Sequence, residues 1–212
     1  LQLKLYLKAK QEKSYKFYIL YDKLFLKHVL AEAYVKCKVN AGSPGIDKMS
    51  FKDVETYGRE KFLKELGEEL RKRTYKPQPV KRVLIAKENG GKRPLGIPTI
   101  KDRVAQQACK MVMEPIWEAD FDGASYGFRP KRSAAGAVTE IKENLKSGMH
   151  DVYDADLSKY FDTIPHDKLE SALKERIADP RVLDLIKLWL KAPIVEEDGT
   201  FTGGKSNKQG TP

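Results

Sequence analysis

Three aspartates lie close together in the second half of the chain. Asp154, Asp156 and Asp162 fall on or just after residues 151–157, whose composition predicts a short buried strand. Side chains two apart on a strand share a face, so Asp154 and Asp156 are expected to point the same way. Buried carboxylates need a partner, and Mg²⁺ takes carboxylate oxygens together with substrate phosphate. The residues alone leave a plainer alternative open: capping or salt-bridging aspartates beside a surface loop.

A second candidate is the basic, glycine-containing stretch 87–93. It holds Lys87, Lys92 and Arg93 around Asn89-Gly90-Gly91, a sequence typical of a hairpin turn. A basic hairpin tip can reach over a triphosphate, where lysine offers a point charge and arginine a planar fork. An exposed turn with solvated charges is the alternative.

A third candidate is the stretch 126–133, which reads YGFRPKRS. Two aromatic residues alternate with Arg129, Lys131 and Arg132 just before a predicted helix. Such a segment suits contact with a nucleic-acid backbone together with stacking on a base or sugar. A loop whose aromatic residues fill the core is an equal alternative.

These candidates require helices and strands to position them. Apolar periodicity predicts helical structure over 1–40 and a helix after an N-cap at Ser50 that runs to about Arg73. Strands are predicted at 80–86 and 92–97, and the last twenty residues are expected to form a loop. Further helices are predicted over 102–113 (with Pro115 disturbing the end), from a cap at Ser133 to 146, over 167–177 and over 181–191. This order indicates an α+β fold.

The basic surplus lies in the first half of the chain. Residues 1–110 hold 26 basic and 12 acidic residues, whereas residues 111–212 hold 14 and 18. The asymmetry indicates a polyanionic partner for the first half, with a lysine-rich surface that favours solubility as the alternative. Two cysteines exclude a disulfide scaffold and, with no apolar run near the ~18 residues of a membrane span, predict a cytoplasmic protein without membrane contact.

Five stretches in order resemble the reverse transcriptase domain of group II intron-encoded proteins, the maturases. Residues 42–47 read GSPGID and resemble a segment near the start of that family. Residues 76–83 (KPQPVKRV) and 93–106 (RPLGIPTIKDRVAQ) are also part of the similarity, and the latter resembles the fingers motif of the family, which is long and specific. Residues 126–130 (YGFRP) and the stretch 156–166 complete the pattern, so the similarity covers about residues 21–212.

The resemblance implies a right-hand polymerase with two-metal nucleotidyl transfer. Asp156 matches the first metal-binding aspartate of the palm, and the backbone carbonyl of Leu157 would help to hold the second Mg²⁺, for which Mn²⁺ can substitute. Phe161 matches the aromatic residue that senses the sugar 2′ position. Lys87 and Arg93 match the basic pair that binds the triphosphate, and Lys92 is an alternative candidate for either of these two positions.

The same resemblance implies RNA template, primer strand, deoxynucleoside triphosphate and group II intron RNA as partners. Expected contacts with nucleic acid are basic residues of the fingers and of the stretch before the palm: Arg71, Arg73, Lys81, Arg82, Arg129, Lys131 and Arg132.

The resemblance also predicts a division of the chain. Residues 1–42 form a helical extension, 43–150 the fingers with interleaved palm helices, and 151–212 the beginning of the palm. In the family the paired aspartates and the thumb follow the motif that starts near residue 209, so the 212 residues alone are expected to be catalytically incomplete. A CRISPR-, retron- or defence-associated reverse transcriptase, or an RNA-binding splicing factor without polymerase activity, is the alternative.

Overall fold

The computed structural model describes residues 1–86, 88, 90–157 and 160–203, apart from the side chain of Asp162. The helices are α1 (Gln2–Gln11), α2 (Tyr21–Leu24), α3 (Lys27–Val39), α4 (Phe51–Tyr57), α5 (Arg59–Lys72), α6 (Ile100–Glu118), α7 (Ala134–Lys146), α8 (Tyr160–Thr163), α9 (His166–Arg176) and α10 (Pro180–Leu190). The strands are β1 (Val80–Ala86), β2 (Lys92–Ile97), β3 (Pro193–Val195) and β4 (Phe201–Gly203). The predicted α+β class is confirmed. In the part of the chain described, no helix is long and apolar enough to cross a membrane.

The helix α6 forms the centre of the core. Its residues Val104, Ala108 and Val112 are fully buried, and α1, α2 and α3 pack against it. Cys109 on α6 and Cys37 on α3 are buried thiols that form no disulfide. Burial raises the pKa of Cys109 to about 12, so this thiol stays protonated at neutral pH.

Pro115 lies inside α6, which continues to Glu118, so the expectation that it disturbs the helix end is wrong. Proline has no N–H, and the carbonyl of Met111 four residues earlier therefore lacks its helical donor. The side-chain amide of Gln2 on α1 donates to that carbonyl at 3.0 Å. The neighbouring helix α1 thus supplies the hydrogen-bond donor that Pro115 cannot give to the Met111 carbonyl.

The region after Ser50 forms two helices where one was predicted. Ser50 and Asp53 form a capping box, which confirms the predicted N-cap of α4. Gly58 then adopts φ +103°, a conformation that L side chains rarely accept, and separates α4 from α5. The second helix carries the buried residues Phe62 and Leu66 into the core.

The four strands form one sheet in the order β2-β1-β3-β4. β1 and β2 form the predicted hairpin, in which Lys81 is opposite Ile97 and Ala86 is opposite Lys92. The predicted terminal loop is wrong over 193–203, because β3 pairs in parallel with β1 and antiparallel with β4. Ile194 is buried there, a tertiary contact that the polar composition of the segment does not reveal. Residues 204–212 lie outside the described part.

The prediction of a buried strand over 151–157 is also wrong. The segment has no regular secondary structure, and Val152, Tyr153 and Leu157 are 84, 94 and 70% exposed. A strand needs a neighbour for its backbone N–H and C=O groups. Among the described residues, the sheet that forms places β1, β2, β3 and β4 together and does not include this segment.

The segment that links α1 to α2 is joined to the junction between α9 and α10. Phe17 exchanges backbone hydrogen bonds with Arg176 and Ala178 at 2.8 and 2.9 Å. The buried carboxylate of Asp179 accepts the N–H groups of Leu20 and Tyr21 at 2.8 and 2.9 Å. The N-terminal helices and α9–α10 are therefore parts of one packed structure, although they are far apart in sequence.

Candidate nucleic-acid interface

Residues 42–47 and 93–106, two of the stretches singled out in the sequence, meet at one cavity of about 670 Å³, here called the motif cavity. Its lining combines backbone, apolar side chains and hydrogen-bond donors: Cys37, Asn40, Ala41, Gly42, Ser43, Leu95, Gly96, Ile97, Pro98, Arg103, Gln106, Gln107 and Lys110. Apolar surface suits a base or sugar, and amide and cationic groups suit phosphate. The cavity therefore has the composition expected of a nucleotide-binding surface.

Arg103 ties the two stretches together at this cavity. Its guanidinium donates to the carbonyl of Pro98 at 2.9 Å and to the carbonyl of Ser43. Gly45 lies so close that a Cβ on it would be 2.7 Å from the backbone of Thr99. Only glycine permits this approach, so the glycine of the GSPGID stretch is explained by packing against the RPLGIPT stretch.

Asp102, the neighbour of Arg103, is the centre of a hydrogen-bond network inside the core. Its carboxylate accepts hydrogen bonds from the Tyr75 hydroxyl at 2.5 Å, the Thr99 hydroxyl at 2.7 Å and the Gln78 N–H at 3.1 Å. Trp189 donates to the same Tyr75 hydroxyl at 3.0 Å. Burial raises the pKa of Asp102 and these hydrogen bonds act against that shift. Asp102 is thus a buried structural residue.

The register of the β1–β2 hairpin separates the two rival basic residues at its tip. Because successive side chains on a strand alternate between faces, Arg93 shares a face with Leu95 and Ile97, which line the motif cavity. Lys92 lies on the opposite face, with Arg82. Lys81, opposite Ile97, is on the face of Arg93. Lys87 lies outside the described residues.

Asp156 lies in an exposed segment. Leu157 next to it is exposed, and Phe161 on α8 is 64% exposed and packs edge-on against Tyr160 at 5.5 Å between ring centres. Within the described residues, no group of three His, Cys, Asp or Glu side chains is placed to hold a metal ion. The described part thus offers the Asp156 carboxylate but no complete set of metal ligands, and the roles of Asp156, Leu157 and Phe161 stay predictions.

Comparison with known proteins shows the family to which this chain belongs. Residues 85–212 match the family model described as reverse transcriptase (RNA-dependent DNA polymerase). The chain belongs to the reverse transcriptase family. It is 44% identical over 138 residues to protein YkfC of Escherichia coli, covering 63% of this chain and 36% of that protein. It is 38% identical over 153 residues to the group II intron-encoded protein LtrA of Lactococcus lactis, covering 68% and 25%. The predicted resemblance to group II intron proteins is confirmed.

A solved structure supports the fold of this reverse transcriptase chain. A chain of a partial Cas6-RT-Cas1–Cas2 complex superposes with a TM-score of 0.54 at 24% identity, covering 91% of this chain and 31% of that one. At this identity the likeness concerns the fold alone. The chain spans about a quarter to a third of the length of the curated relatives described above.

Arg129 of the reverse transcriptase chain makes its polar contacts within the chain itself. Its side chain is 7% exposed and its guanidinium contacts the Glu118 carboxylate at 2.7 Å. It also donates to the carbonyls of Asp122 and Ser125, the latter at 2.8 Å. These bonds occupy the guanidinium in closing the loop after α6, so this geometry does not support the predicted contact of Arg129 with a template.

The residues beside Arg129 differ in exposure. Arg132 lies 4.9 Å from the centre of the Tyr126 ring, whose hydroxyl donates to Glu140 on α7. Lys131 is exposed, and Phe128 is fully exposed. The stretch 126–133 therefore joins a loop to α7 through Tyr126, while Lys131 and Phe128 remain available to a partner.

Arg71 lines a second, basic groove of about 580 Å³ between α3 and α5. Its guanidinium lies 5.5 Å from the centre of the Phe25 ring and 3.7 Å from Glu68. The rim of the groove carries five basic and two acidic residues: Lys27, Arg59, Lys61, Lys64, Arg71, Glu60 and Glu68. Arg73 follows as the left-handed C-cap of α5 and is exposed. Contact of Arg71 and Arg73 with nucleic acid stays a prediction.

Sequence reasoning assigned no role to Arg103, Gln106 or Lys110, which line the motif cavity. The available signal was their place in or just after the long RPLGIPTIKDRVAQ stretch, which continues into α6 with helical spacing. Residues three and four apart on a helix share a face, so 103, 106, 107 and 110 form one stripe. Only the packing of residues 41–43 against that stripe reveals a cavity.

Proposed function

We propose that the protein supplies the fingers and the first part of the palm of a group II intron-type reverse transcriptase. The reaction is RNA-directed DNA synthesis, in which a primer 3′-hydroxyl attacks the α-phosphate of a deoxynucleoside triphosphate on an RNA template. The proposal keeps the division into an extension (1–42), fingers (43–150) and beginning of the palm (151–212). It includes binding of intron RNA and a cytoplasmic location.

The observation that carries the proposal is the meeting of two family stretches at the motif cavity. Arg103 holds the GSPGID stretch against the base of the basic hairpin, and Arg93 and Lys81 are on the hairpin face that includes the cavity-lining residues Leu95 and Ile97. A single-stranded template can follow the cavity, and the fork of Arg93 can bind two phosphate oxygens of the incoming nucleotide. The register favours Arg93 over Lys92 for this role.

The divalent cations of such a site, taken here as Mg²⁺ or Mn²⁺, stabilise charge on the attacking and leaving oxygens when they are bound. Asp156 would supply one carboxylate and the Leu157 carbonyl a further oxygen ligand. One aspartate cannot hold two cations, so the proposal requires carboxylates beyond the described residues. Arg93 and Lys81 would orient and neutralise the triphosphate, and Phe161 would occupy the space beside the sugar.

Phe161 gives a prediction about sugar selectivity. A phenyl ring beside the sugar excludes a 2′-hydroxyl by steric overlap, so Phe161→Ala is expected to raise ribonucleotide incorporation about tenfold in an active polypeptide that contains this chain. Primer extension with matched ribo- and deoxynucleotides measures the ratio. Tyr153→Ala, which removes a 94% exposed ring in the preceding segment, is the control. Equal selectivity in wild type and Phe161→Ala would remove Phe161 from the nucleotide site.

Binding of nucleic acid by the chain itself tests the interface. Fluorescence anisotropy of an RNA–DNA duplex with a single-stranded 5′ RNA overhang is measured with the 212-residue chain. Lys110→Ala in the motif cavity and Arg93→Ala on the hairpin are each expected to weaken binding about three- to tenfold, because each removes a cation from a phosphate-contacting surface.

Lys146→Ala is the matched control, because Lys146 is an exposed lysine at the end of α7 that pairs with Glu143 and does not line the cavity. It should leave the affinity within twofold. Equal weakening by Lys146→Ala would indicate general attraction to phosphate and would count against the motif cavity as the interface.

The basic groove between α3 and α5 favours a second function, RNA binding without polymerisation. Filter binding of group II intron RNA and of an unrelated RNA of equal length over a salt series separates the two. A preference for intron RNA that persists at high salt, together with no DNA synthesis by a polypeptide that carries a complete palm, would favour a splicing factor. DNA synthesis by that polypeptide supports the reverse transcriptase.

A further inference from the structure

The turn between β3 and β4 contacts the basic hairpin from its side. This acidic turn consists of Glu196, Glu197 and Asp198. The Arg82 guanidinium donates to a Glu196 carboxylate oxygen at 2.9 Å, and the Leu84 backbone N–H donates to a Glu197 carboxylate oxygen at 3.2 Å. Two side chains of the acidic turn thus contact β1 beyond the residues that pair with β3.

These contacts begin where the backbone ladder ends. β1 pairs with β3 only at Val80 and Lys81, opposite Ile194 and Val195. Further along β1, the Glu197 carboxylate accepts the Leu84 N–H that a longer β3 would otherwise receive, and Glu196 binds the Arg82 side chain beside it. Side-chain oxygens can replace ladder acceptors in this way because a strand edge requires partners for its N–H groups.

The carboxylate of Glu196 is itself held in place. The Thr202 hydroxyl donates to the same oxygen at 2.7 Å, and the Glu196 N–H donates to the Thr200 carbonyl at 2.9 Å. The side chains of Arg82 and Glu196 are 32 and 26% exposed, so the pair is partly shielded from water. A fixed, partly buried carboxylate is a better anchor than a freely rotating surface glutamate.

The hairpin needs such an anchor because its described charges repel one another. Lys81, Arg82, Lys92 and Arg93 lie on two adjacent strands, and Lys92 and Arg93 are exposed. Beyond Leu84, the side chains of Ile85 and Ala86 are also exposed. The orientation of the hairpin tip is therefore set by contacts nearer its base.

We infer that Glu196 and Glu197 are positioning residues, which hold the basic hairpin in the orientation that binds a triphosphate. The inference rests on the proposed function for the role of the hairpin. In this inference Arg82, on the face opposite Arg93, is the residue through which Glu196 holds the hairpin. The acidic turn then affects nucleotide affinity by fixing the orientation of the hairpin, without contacting the nucleotide.

The sign of the effect distinguishes positioning from simple charge. Glu196 is a negative charge near an anion-binding hairpin, so its removal on charge grounds alone would strengthen binding of a triphosphate. If Glu196 acts by holding Arg82 and β1, its removal weakens binding. Asp198 supplies the control, because it bonds only to Thr200 in the same turn, at 2.9 and 2.7 Å, among the hydrogen bonds described for it.

The experiment uses the 212-residue chain with dTTP and inorganic tripolyphosphate as probes, by titration calorimetry at low salt. Glu196→Ala is expected to weaken binding of both probes about fivefold, the size of a partly shielded ion pair, with Glu196→Gln between it and wild type. Asp198→Asn removes the same charge and should leave the affinity equal or slightly higher. Amide hydrogen exchange over 80–86 and 92–97 should become faster in Glu196→Ala and stay unchanged in Asp198→Asn.

Each outcome has a defined meaning. Equal or tighter binding by Glu196→Ala, with unchanged exchange of the hairpin amides, overturns the inference. If wild type binds neither probe but Glu196→Ala still accelerates exchange, the anchoring is supported and the proposed nucleotide role of the hairpin fails. Weakening by Asp198→Asn equal to that of Glu196→Ala shows a general effect of the turn and overturns the assignment to Glu196.

Discussion

Residues 1–120 pack around a buried core, whereas the described residues of 121–163 stay at least partly exposed. The first region contains Leu30, Tyr34 and Leu66 in a continuous core around α6, all at or below 2% exposure. In the second region no described residue is buried. Yet the second region carries the predicted catalytic Asp156, and the first carries the motif cavity.

The difference lies in neighbours and not in composition. The helix α7 has Val138, Ile141 and Leu145 at helical spacing, as a core-facing helix does, but these side chains are 50, 57 and 41% exposed. An apolar stripe stabilises a helix only when another element covers it. The motif cavity of this chain is therefore formed by its own packing, whereas the segment around Asp156 has no such support within the described residues.

The largest expected effect is a loss of primer extension on substitution of Asp156, without a loss of stability. In a polypeptide that joins this chain to a complete palm and thumb, Asp156→Ala should lower primer extension by about a thousandfold or more, because a metal ligand contributes several kcal/mol to the transition state. RNA affinity and unfolding should change little, since Asp156 lies in the exposed region. Asp154→Ala is the control in the same segment. Full extension by Asp156→Ala would remove this residue from the site.

Paired truncations in the two regions test the packing contrast directly. Leu66→Ala in the core is expected to cost about 2–5 kcal/mol of unfolding free energy, because it leaves a cavity between α5 and its neighbours. Ile141→Ala on α7 should cost less than about 0.5 kcal/mol, as at other exposed positions. Urea unfolding of the 212-residue chain measures both. Similar losses would show that α7 is packed in solution and would contradict the comparison.

Acid sensitivity should arise at the junction of the N-terminal segment with α10. Burial alone would raise the pKa of Asp179, but hydrogen bonds from Arg181, Tyr21 N–H and Leu20 N–H outweigh it and lower the pKa to about 2. This stabilisation, about 2 kcal/mol, is fully present above pH ~4 and is lost as the pH falls towards 2. Asp179→Asn should remove that part of the pH dependence. An unchanged acid transition would exclude Asp179 as its source.

The smallest expected effect concerns the proline of α6. Gln2→Ala leaves the Met111 carbonyl without the donor that replaces the missing N–H of Pro115, at a cost of about 1 kcal/mol or a few degrees of melting temperature. Gln11→Ala, at the exposed end of the same helix, controls for changes in helix propensity. A melting temperature equal to wild type in Gln2→Ala would show that water satisfies the carbonyl.

Local chemistry predicted the elements whose signals are local. Ser50 caps α4 by accepting the N–H of Asp53, and Ser133 caps α7 by accepting the N–H of Gly136 at 3.2 Å, as their positions before helical stretches indicated. The β1–β2 hairpin follows from its turn residues. The incorrect predictions share a cause, which is that each depends on a distant part of the chain. The predicted strand at 151–157 has no neighbouring strand in the described sheet, whereas β3 pairs with β1. The helix α6 continues past Pro115, and the Gln2 side chain donates to the carbonyl that the proline leaves without a donor.

For the candidate site, the sequence by itself determined the family stretches, the basic hairpin and Asp156, because these depend on residue type and order. Only the tertiary structure decided that the Arg129 guanidinium is paired with Glu118, that Arg93 and not Lys92 lies on the face of the cavity-lining residues, and that Glu196 contacts Arg82. Those outcomes depend on strand register and on contacts between residues up to 114 positions apart. Such contacts leave no periodic or local trace in the sequence, because the residue type of either partner alone does not indicate which residue it contacts.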